Sequence, residues 1–245
     1  MRRTVLLGGA ALGVAVIVAL GGAYVYEFSG LRTAPKPLGL SSAPAAASPS
    51  IAASASSAGA GGLTGSWTVA QGSEAGYRVS EVFAGQTSSH EAVARTSSVS
   101  GALTVQEGSA GLQATSIRFT AQLGSLQSVD QVAGRDVSQR DRIVSETLSV
   151  FQYPTATFQT RGVDLPAALA SGQTVTLTVP GELTIRGVTR SVTVTVQARL
   201  SGGEVQAAGS TSFAMGDFGI SPPRIPITTV DPHVTLEFAL VLARG

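Results

Sequence analysis

Residues 181–200 read GELTIRGVTRSVTVTVQARL, and this stretch determines the predicted fold class of the chain. Its second half alternates strictly, so that one face of an extended strand carries Val192, Val194, Val196, Ala198 and Leu200. A period of two residues in a run rich in β-branched side chains is typical of a half-buried β-strand. The first half alternates in the same way over Leu183 and Ile185. Because glycine tolerates positive φ, Arg186–Gly187 predicts a tight turn between two strands.

Most of the chain beyond residue 62 repeats this pattern and predicts about eight strands. Strands with one apolar and one polar face favour an antiparallel sheet, and closing such a sheet removes its unpaired edges. The sequence therefore predicts an all-β fold, an antiparallel barrel, with a two-sheet sandwich as the alternative. Residues 127–150 break the pattern with apolar residues at helical spacing, which predicts one short helical insertion.

Composition excludes several classes of protein. The formal net charge is +1 and charged residues make up 13% of the chain, without the clustered Lys and Arg of a nucleic-acid-binding protein. There is no cysteine, which excludes disulfides, thiolate metal sites and cysteine nucleophiles.

His90 lies in a polar, serine-rich segment and is interpreted as a solvated surface residue. His233 follows Asp231-Pro232 and is interpreted as part of a turn. No Gly-x-Ser-x-Gly motif presents a nucleophile, so we expect neither catalysis nor a metal site.

Residues 1–28 predict a transmembrane anchor. Arg2 and Arg3 precede an uncharged run from Val5 to Tyr26, which is long enough to cross a hydrocarbon core of roughly 30 Å. The positive-inside rule places the N-terminus in the cytoplasm and the rest of the chain outside the cell membrane. A cleaved signal peptide is the alternative, because Gly21 and Ala23 are small enough for a cleavage site.

Residues 29–62 predict a disordered linker between the anchor and a folded domain. The segment consists mainly of Ala, Ser, Gly and Pro. Its few large apolar side chains cannot offset the entropy lost on ordering. The folded domain is expected to span residues 63–245.

Four motifs of the domain resemble those of the YceI-like family. They are SWTV at residues 66–69, YPTATF at residues 153–158, GELTIRGVTR at residues 181–190 and FAMGDFGI at residues 213–220. The chain differs from the family pattern at Thr147-Leu148, where aromatic residues are usual. The resemblance implies an extended lipocalin-like β-barrel that holds a polyisoprenoid or similar long-chain amphiphile. It also implies binding rather than catalysis, with no cofactor other than a bound isoprenoid lipid.

The resemblance and the strand pattern together suggest which residues line the ligand cavity. These are Phe83, Phe119, Phe158, Leu177, Val192, Val194, Val196, Phe213, Phe218, Leu236 and Phe238. The alternative is a filled core, in which case the domain is a structural or adhesion module without a ligand. The expected partners are the lipid and, through the N-terminal helix, the membrane, but no nucleic acid.

Basic residues cluster in the predicted helical insertion, at Arg135, Arg140 and Arg142, with Asp136 and Asp141 beside them. One interpretation is that the arginines attract the polar head of a lipid. The simpler interpretation, which we adopt, is that they form ordinary ion pairs on the protein surface.

Overall fold

The structure, a computed structural model, describes residues 32–40, 62–132 and 136–245. Its strands are β1 (Arg32–Thr33), β2 (Gly65–Val69), β3 (Glu74–Phe83), β4 (His90–Thr96), β5 (Val99–Gly108), β6 (Gly111–Gln122), β7 (Gln127–Ser128), β8 (Gln131–Val132), β9 (Thr155–Thr160), β10 (Val163–Asp164), β11 (Val175–Ile185), β12 (Val188–Ser201), β13 (Glu204–Ala214) and β14 (Thr228–Arg244). The helices are α1 (Ser138–Thr147) and α2 (Ala167–Ala170), with 3₁₀ turns at Leu123–Ser125 and Met215–Phe218.

Eight antiparallel strands form a closed barrel in the order β13-β12-β11-β9-β6-β5-β2-β14. Closure comes from the pairing of β13 with β14, which runs from Val205 opposite Leu242 to Ala214 opposite His233. The prediction of an all-β barrel with one short helical insertion is confirmed, and the sandwich alternative is wrong because the sheet closes on itself.

The stretch that predicts the fold class forms the hairpin of β11 and β12. The two strands pair in register from Val175 opposite Ala198 to Ile185 opposite Val188. The turn lies where the sequence predicts it, and Arg186 as well as Gly187 has a positive φ, at 51° and 73°. A Cβ at Gly187 would also lie 2.9 Å from the ring of Tyr153, so this position requires glycine for space as well as for φ.

A smaller extension of the sheet starts from residues 228–239 of β14, which pair with β3 instead of β2. Strand β3 then pairs with β4, and β4 pairs with β7. Strand β4 lies in a polar segment whose sequence has no clear period. Strand β14 also begins earlier than its alternation suggests, because a bulge between Val230 and Val234 continues the pairing into the proline-rich loop.

The barrel has two different ends. One end, called here the α1 end, carries α1, the 186–187 turn, the 84–89 loop and the 219–227 loop. The opposite end carries the β5–β6 turn, α2 and the β12–β13 turn. Strands β3 and β11 finish at the α1 end, and β4, β12 and β14 begin there.

Residues 32–40 pack on the barrel, although the sequence places them in the linker. Strand β1 pairs with β8, with Arg32 opposite Val132. The predicted anchor and the rest of the linker, apart from Gly62, lie outside the described residues. Within residues 32–40, 62–132 and 136–245, no helix has the length and apolar character needed to cross a membrane.

Candidate ligand cavity

An apolar cavity of about 320 Å³ runs through the barrel. Leu165 and Leu169 line it at the opposite end, and Ile143 and Ile225 line it at the α1 end. The cavity forms because each barrel strand turns every second side chain inward and most of these side chains are aliphatic or aromatic. Its volume lies at the lower end of the range, roughly 300–1,000 Å³, that is usual for small-molecule sites.

Most of the wall residues that the sequence suggests do face this cavity. They are Phe119, Phe158, Leu177, Val194, Val196, Phe213, Leu236 and Phe238. They come from strands that are distant along the chain but adjacent around the barrel, such as β6, β12 and β14. The structure therefore brings them together on one continuous apolar surface.

Phe83, Val192 and Phe218 lie elsewhere, and assigning them to the cavity wall is wrong. Phe83 is buried at the end of β3 and stacks on His90, with ring centroids 6.1 Å apart. Phe218 lies in a 3₁₀ turn and packs on Phe213, with centroids 4.6 Å apart. Val192 packs against the cluster that contains Phe218, so these side chains cover the α1 end of the hairpin instead of the cavity.

Arg140 of α1 points inward and reaches the edge of the cavity. Its guanidinium donates hydrogen bonds to Glu81 Oε1 at 2.6 Å and to Asp130 Oδ1 at 2.7 Å. Only 14% of the arginine side chain is exposed, and the two carboxylates are buried. The interpretation of Arg140 as a surface ion pair is therefore wrong, whereas Arg142 is exposed as that interpretation expects. Arg135 lies outside the described residues.

His90 is also buried, so its interpretation as a solvated residue is wrong. Its Nε2 lies 2.7 Å from Asp130 Oδ2, and the Val93 N–H donates to Asp130 Oδ1 at 3.0 Å. Burial alone would raise the pKa of Asp130, but hydrogen bonds from His90, Val93 and Arg140 together hold that pKa below its usual value. Asp130 thus remains ionised and ties β4, β8 and α1 together.

Tyr77 lines the cavity beside this charged cluster. Its hydroxyl oxygen is buried and has no hydrogen-bond partner among the described residues. Burial raises the pKa of Tyr77 above its usual range, Arg140 lowers it in part, and Asp141, Asp130 and Glu81 raise it further. The phenol is therefore a neutral donor that faces a largely apolar space.

A second charged cluster lies under residues 34–40 on the outer wall. Glu237 is buried and accepts hydrogen bonds from Arg78 Nε at 2.6 Å and from Arg95 Nε at 3.1 Å. The main chain of residues 34–40 completes the cluster, because the Leu38 N–H donates to Glu237 at 3.0 Å. The carbonyl oxygens of Pro35 and Lys36 accept from Arg78 and Arg95 respectively.

The sequence contains a signal for only some of these polar residues. Tyr77 and Glu81 share the inward face of β3 with Val79, and a carboxylate on an apolar face indicates a buried partner. Asp130 and Glu237 carry no comparable signal. Apart from Arg140, the partners of Asp130 are 37–40 residues away along the chain, and the two arginines that bind Glu237 are 142–159 residues away, so only the folded barrel brings these groups together.

Comparisons with known proteins agree with this architecture. The family model described as a YceI-like domain matches residues 67–242. A polyisoprenoid binding domain from Saccharophagus degradans, implicated in plant cell wall breakdown, has a similar structure. The TM-score is 0.54 at 16% identity, over 74% of this chain and 99% of that one. BcnA of Burkholderia cenocepacia is 21% identical over 67% of this chain and 95% of its own, with a TM-score of 0.45. No curated protein matches the chain.

Replacing Asp130 by Asn tests the charged cluster around α1. Asn keeps the shape of the side chain but cannot balance Arg140, so the free energy of unfolding should fall by roughly 3 kcal/mol at pH 7. Because the pKa of Asp130 is lower in the folded state, its carboxylate stabilises the fold above its unfolded pKa. That stabilisation is lost as the pH falls through the folded pKa. The difference in free energy of unfolding between the parent and the variant should therefore become smaller below about pH 4.

Urea unfolding at pH 7 and pH 3 measures this difference. Asp231→Asn is the control, because Asp231 is exposed and its hydrogen bonds within the described part of the chain are to His233 beside it. The control should unfold close to the parent at both pH values. If the parent and Asp130→Asn differed in free energy of unfolding by the same amount at pH 3 as at pH 7, the role of the Asp130 carboxylate in balancing Arg140 would be contradicted.

Proposed function

The chain belongs to the YceI-like family, and on that basis we propose that it is a membrane-anchored, extracytoplasmic binding protein. Its barrel holds a polyisoprenoid or a similar long-chain amphiphile. It acts by binding, without catalysis. The anchor is the N-terminal segment, and the barrel stands outside the cell membrane, as the charge of Arg2-Arg3 suggests.

The apolar cavity is the observation that carries this proposal. It extends along the barrel from Leu169 to Ile225, a shape that suits an extended hydrocarbon chain. Each methylene that leaves water for such a site contributes about 0.8 kcal/mol, so a long tail needs few polar contacts for tight binding. A module with a filled barrel, the alternative, does not account for this cavity.

Tyr77 gives the bound molecule one polar contact. Its phenol is a donor without a partner among the described residues, so a ligand oxygen that accepts its hydrogen bond would satisfy it. The positive charge of Arg140 is already balanced by Glu81 and Asp130. A phosphate at this point would meet two carboxylates without a free cation nearby in the cluster. A neutral oxygen, as in a carbonyl or an alcohol, therefore suits the site better.

Val194→Phe tests the cavity, because Val194 is buried and lines it. A larger side chain should fill part of the cavity and reduce the fraction of purified protein that carries lipid several-fold. Native mass spectrometry of the parent and the variant measures that fraction. Thr195→Phe adds the same ring to the exposed face of β12 and should leave lipid occupancy unchanged. If the barrel were filled, Val194→Phe would instead lower stability by about 1–3 kcal/mol through overpacking, with no change in lipid.

Tyr77→Phe tests the polar contact. The lipid-free variant should be at least as stable as the parent, because a buried hydroxyl without a partner is removed. Its affinity for a quinone with an isoprenoid tail should fall by up to about tenfold, which corresponds to one hydrogen bond. Its affinity for an isoprenoid hydrocarbon without oxygen should stay the same. Competition in native mass spectrometry measures both affinities. An equal loss of affinity for the quinone and for the hydrocarbon would contradict a hydrogen bond from Tyr77 to the ligand.

The membrane anchor has its own test. The full chain should be found in the membrane fraction with its N-terminal segment intact, because the run from Val5 to Tyr26 is long enough to span the bilayer. Protease added outside the cytoplasm should digest the domain. Recovery of soluble protein with a mature N-terminus near Tyr24 would show a cleaved signal peptide instead.

A further inference from the structure

Residues 32–40 determine where the chain leaves the barrel towards its N-terminus. Strand β1 pairs with β8, and the Ser128 N–H nearby donates to Asp141 of α1 at 2.9 Å. From there the segment runs along the outer wall to Leu38, which bonds to Glu237. The chain before Arg32 therefore starts from the α1 end of the barrel.

Only a short length of chain separates that point from the predicted span. Three residues separate Phe28 from Arg32, and the four Cα–Cα steps between them reach about 14 Å at most when fully extended. A free linker of the length predicted from the sequence would let the barrel take any orientation. Docking of residues 32–40 removes that freedom and keeps the α1 end close to the anchor.

The same end exposes apolar side chains. Among the described residues, the large apolar side chains that are exposed are Val82, Val129, Phe151 and Ile227. All four lie in segments around the α1 end. Val82 precedes the 84–89 loop, Val129 lies between β7 and β8, Phe151 follows α1, and Ile227 ends the 219–227 loop. Phe151 is fully exposed, which is unusual for a phenylalanine that faces only water.

At this end the cavity is tightly covered beside the β11–β12 hairpin, where Ile185, Phe218 and Ile220 are buried, and less tightly covered beside α1. None of the residues of α1, all of which are described, is buried, although Ile143 and Val144 line the cavity. The opposite end is packed shut by side chains that are at most 3% exposed, namely Leu63, Trp67, Leu169 and Leu242.

We propose that the α1 end is a membrane-binding face, which rests on the lipid bilayer and presents the mouth of the cavity to it. Phe151 and Ile227 insert among the lipid head groups, and residues 32–40 hold the barrel in this orientation. A lipid tail then passes between the bilayer and the cavity beside α1 without crossing water. This inference rests on the proposed anchor, and it adds the face of the domain that the anchor presents to the membrane.

The test uses the full chain reconstituted into phospholipid vesicles. The chain has no cysteine, so Phe151→Cys and Ala110→Cys each provide a single labelling site. Position 151 lies at the α1 end, and Ala110 is exposed in the β5–β6 turn at the opposite end. Each variant carries the same environment-sensitive fluorophore. The vesicles contain lipids with a nitroxide quencher on the upper part of the acyl chain.

We expect both variants to float with the vesicles and the label at position 151 to be quenched several-fold more than the label at position 110. Flotation with equal quenching, or with stronger quenching at position 110, would overturn the proposed face while leaving the anchor in place. Failure to float would overturn the anchor and this inference together. Neither flotation nor quenching depends on whether lipid occupies the cavity. A failure of the proposed lipid binding can therefore be distinguished from a failure of the proposed membrane-binding face.

Discussion

Pairing between β13 and β14 is the interaction on which the rest of this structure depends. It closes eight strands into a ring, so that every second side chain faces an enclosed space. Close packing at the seam requires Gly209, because a Cβ there would lie 2.4 Å from the Thr195 carbonyl and 2.8 Å from the ring of Phe238. Closure turns the alternating pattern of separate strands into one apolar cavity.

Buried charge, rather than apolar burial, attaches the helical insertion to the barrel. Helix α1 has no buried residue, and Arg140 connects it to Glu81 and Asp130. Any movement that separates Arg140 from its carboxylate partners would leave buried charges without compensation, so these ion pairs favour one position of the helix. Polar contacts of Arg140 and of its neighbour Asp141, which accepts from Ser128, thus hold the helix while its apolar side chains cover the cavity loosely. An element with few buried apolar contacts opens more readily than the strands around it, which suits a cover over a cavity mouth.

Charge is used in a second way on the outer wall, where Glu237 joins two arginines to the main chain of residues 34–40. This contact converts part of an Ala- and Pro-rich segment into a fixed strap. In the arrangement that we propose, an anchor joined to the domain by this strap places one end of the barrel at the membrane. The cavity, the end that α1 covers loosely and the exposed Phe151 would then act together to exchange an apolar ligand with the bilayer.

The sequence by itself determined most of the long strands, the 186–187 turn and the all-β class, because these follow from a local period of two residues. With the family resemblance it also indicated most of the cavity wall. It did not reveal the buried roles of Arg140, His90 and Asp130, because Arg140 meets Glu81 and His90 meets Asp130 only when distant parts of the chain fold together. The polar residues around His90 in the sequence predict a solvated side chain. In the tertiary structure Asp130 lies beside His90, and both side chains are buried. The misplaced Phe218 has the same cause, since the direction of a side chain in a 3₁₀ turn depends on what packs around it.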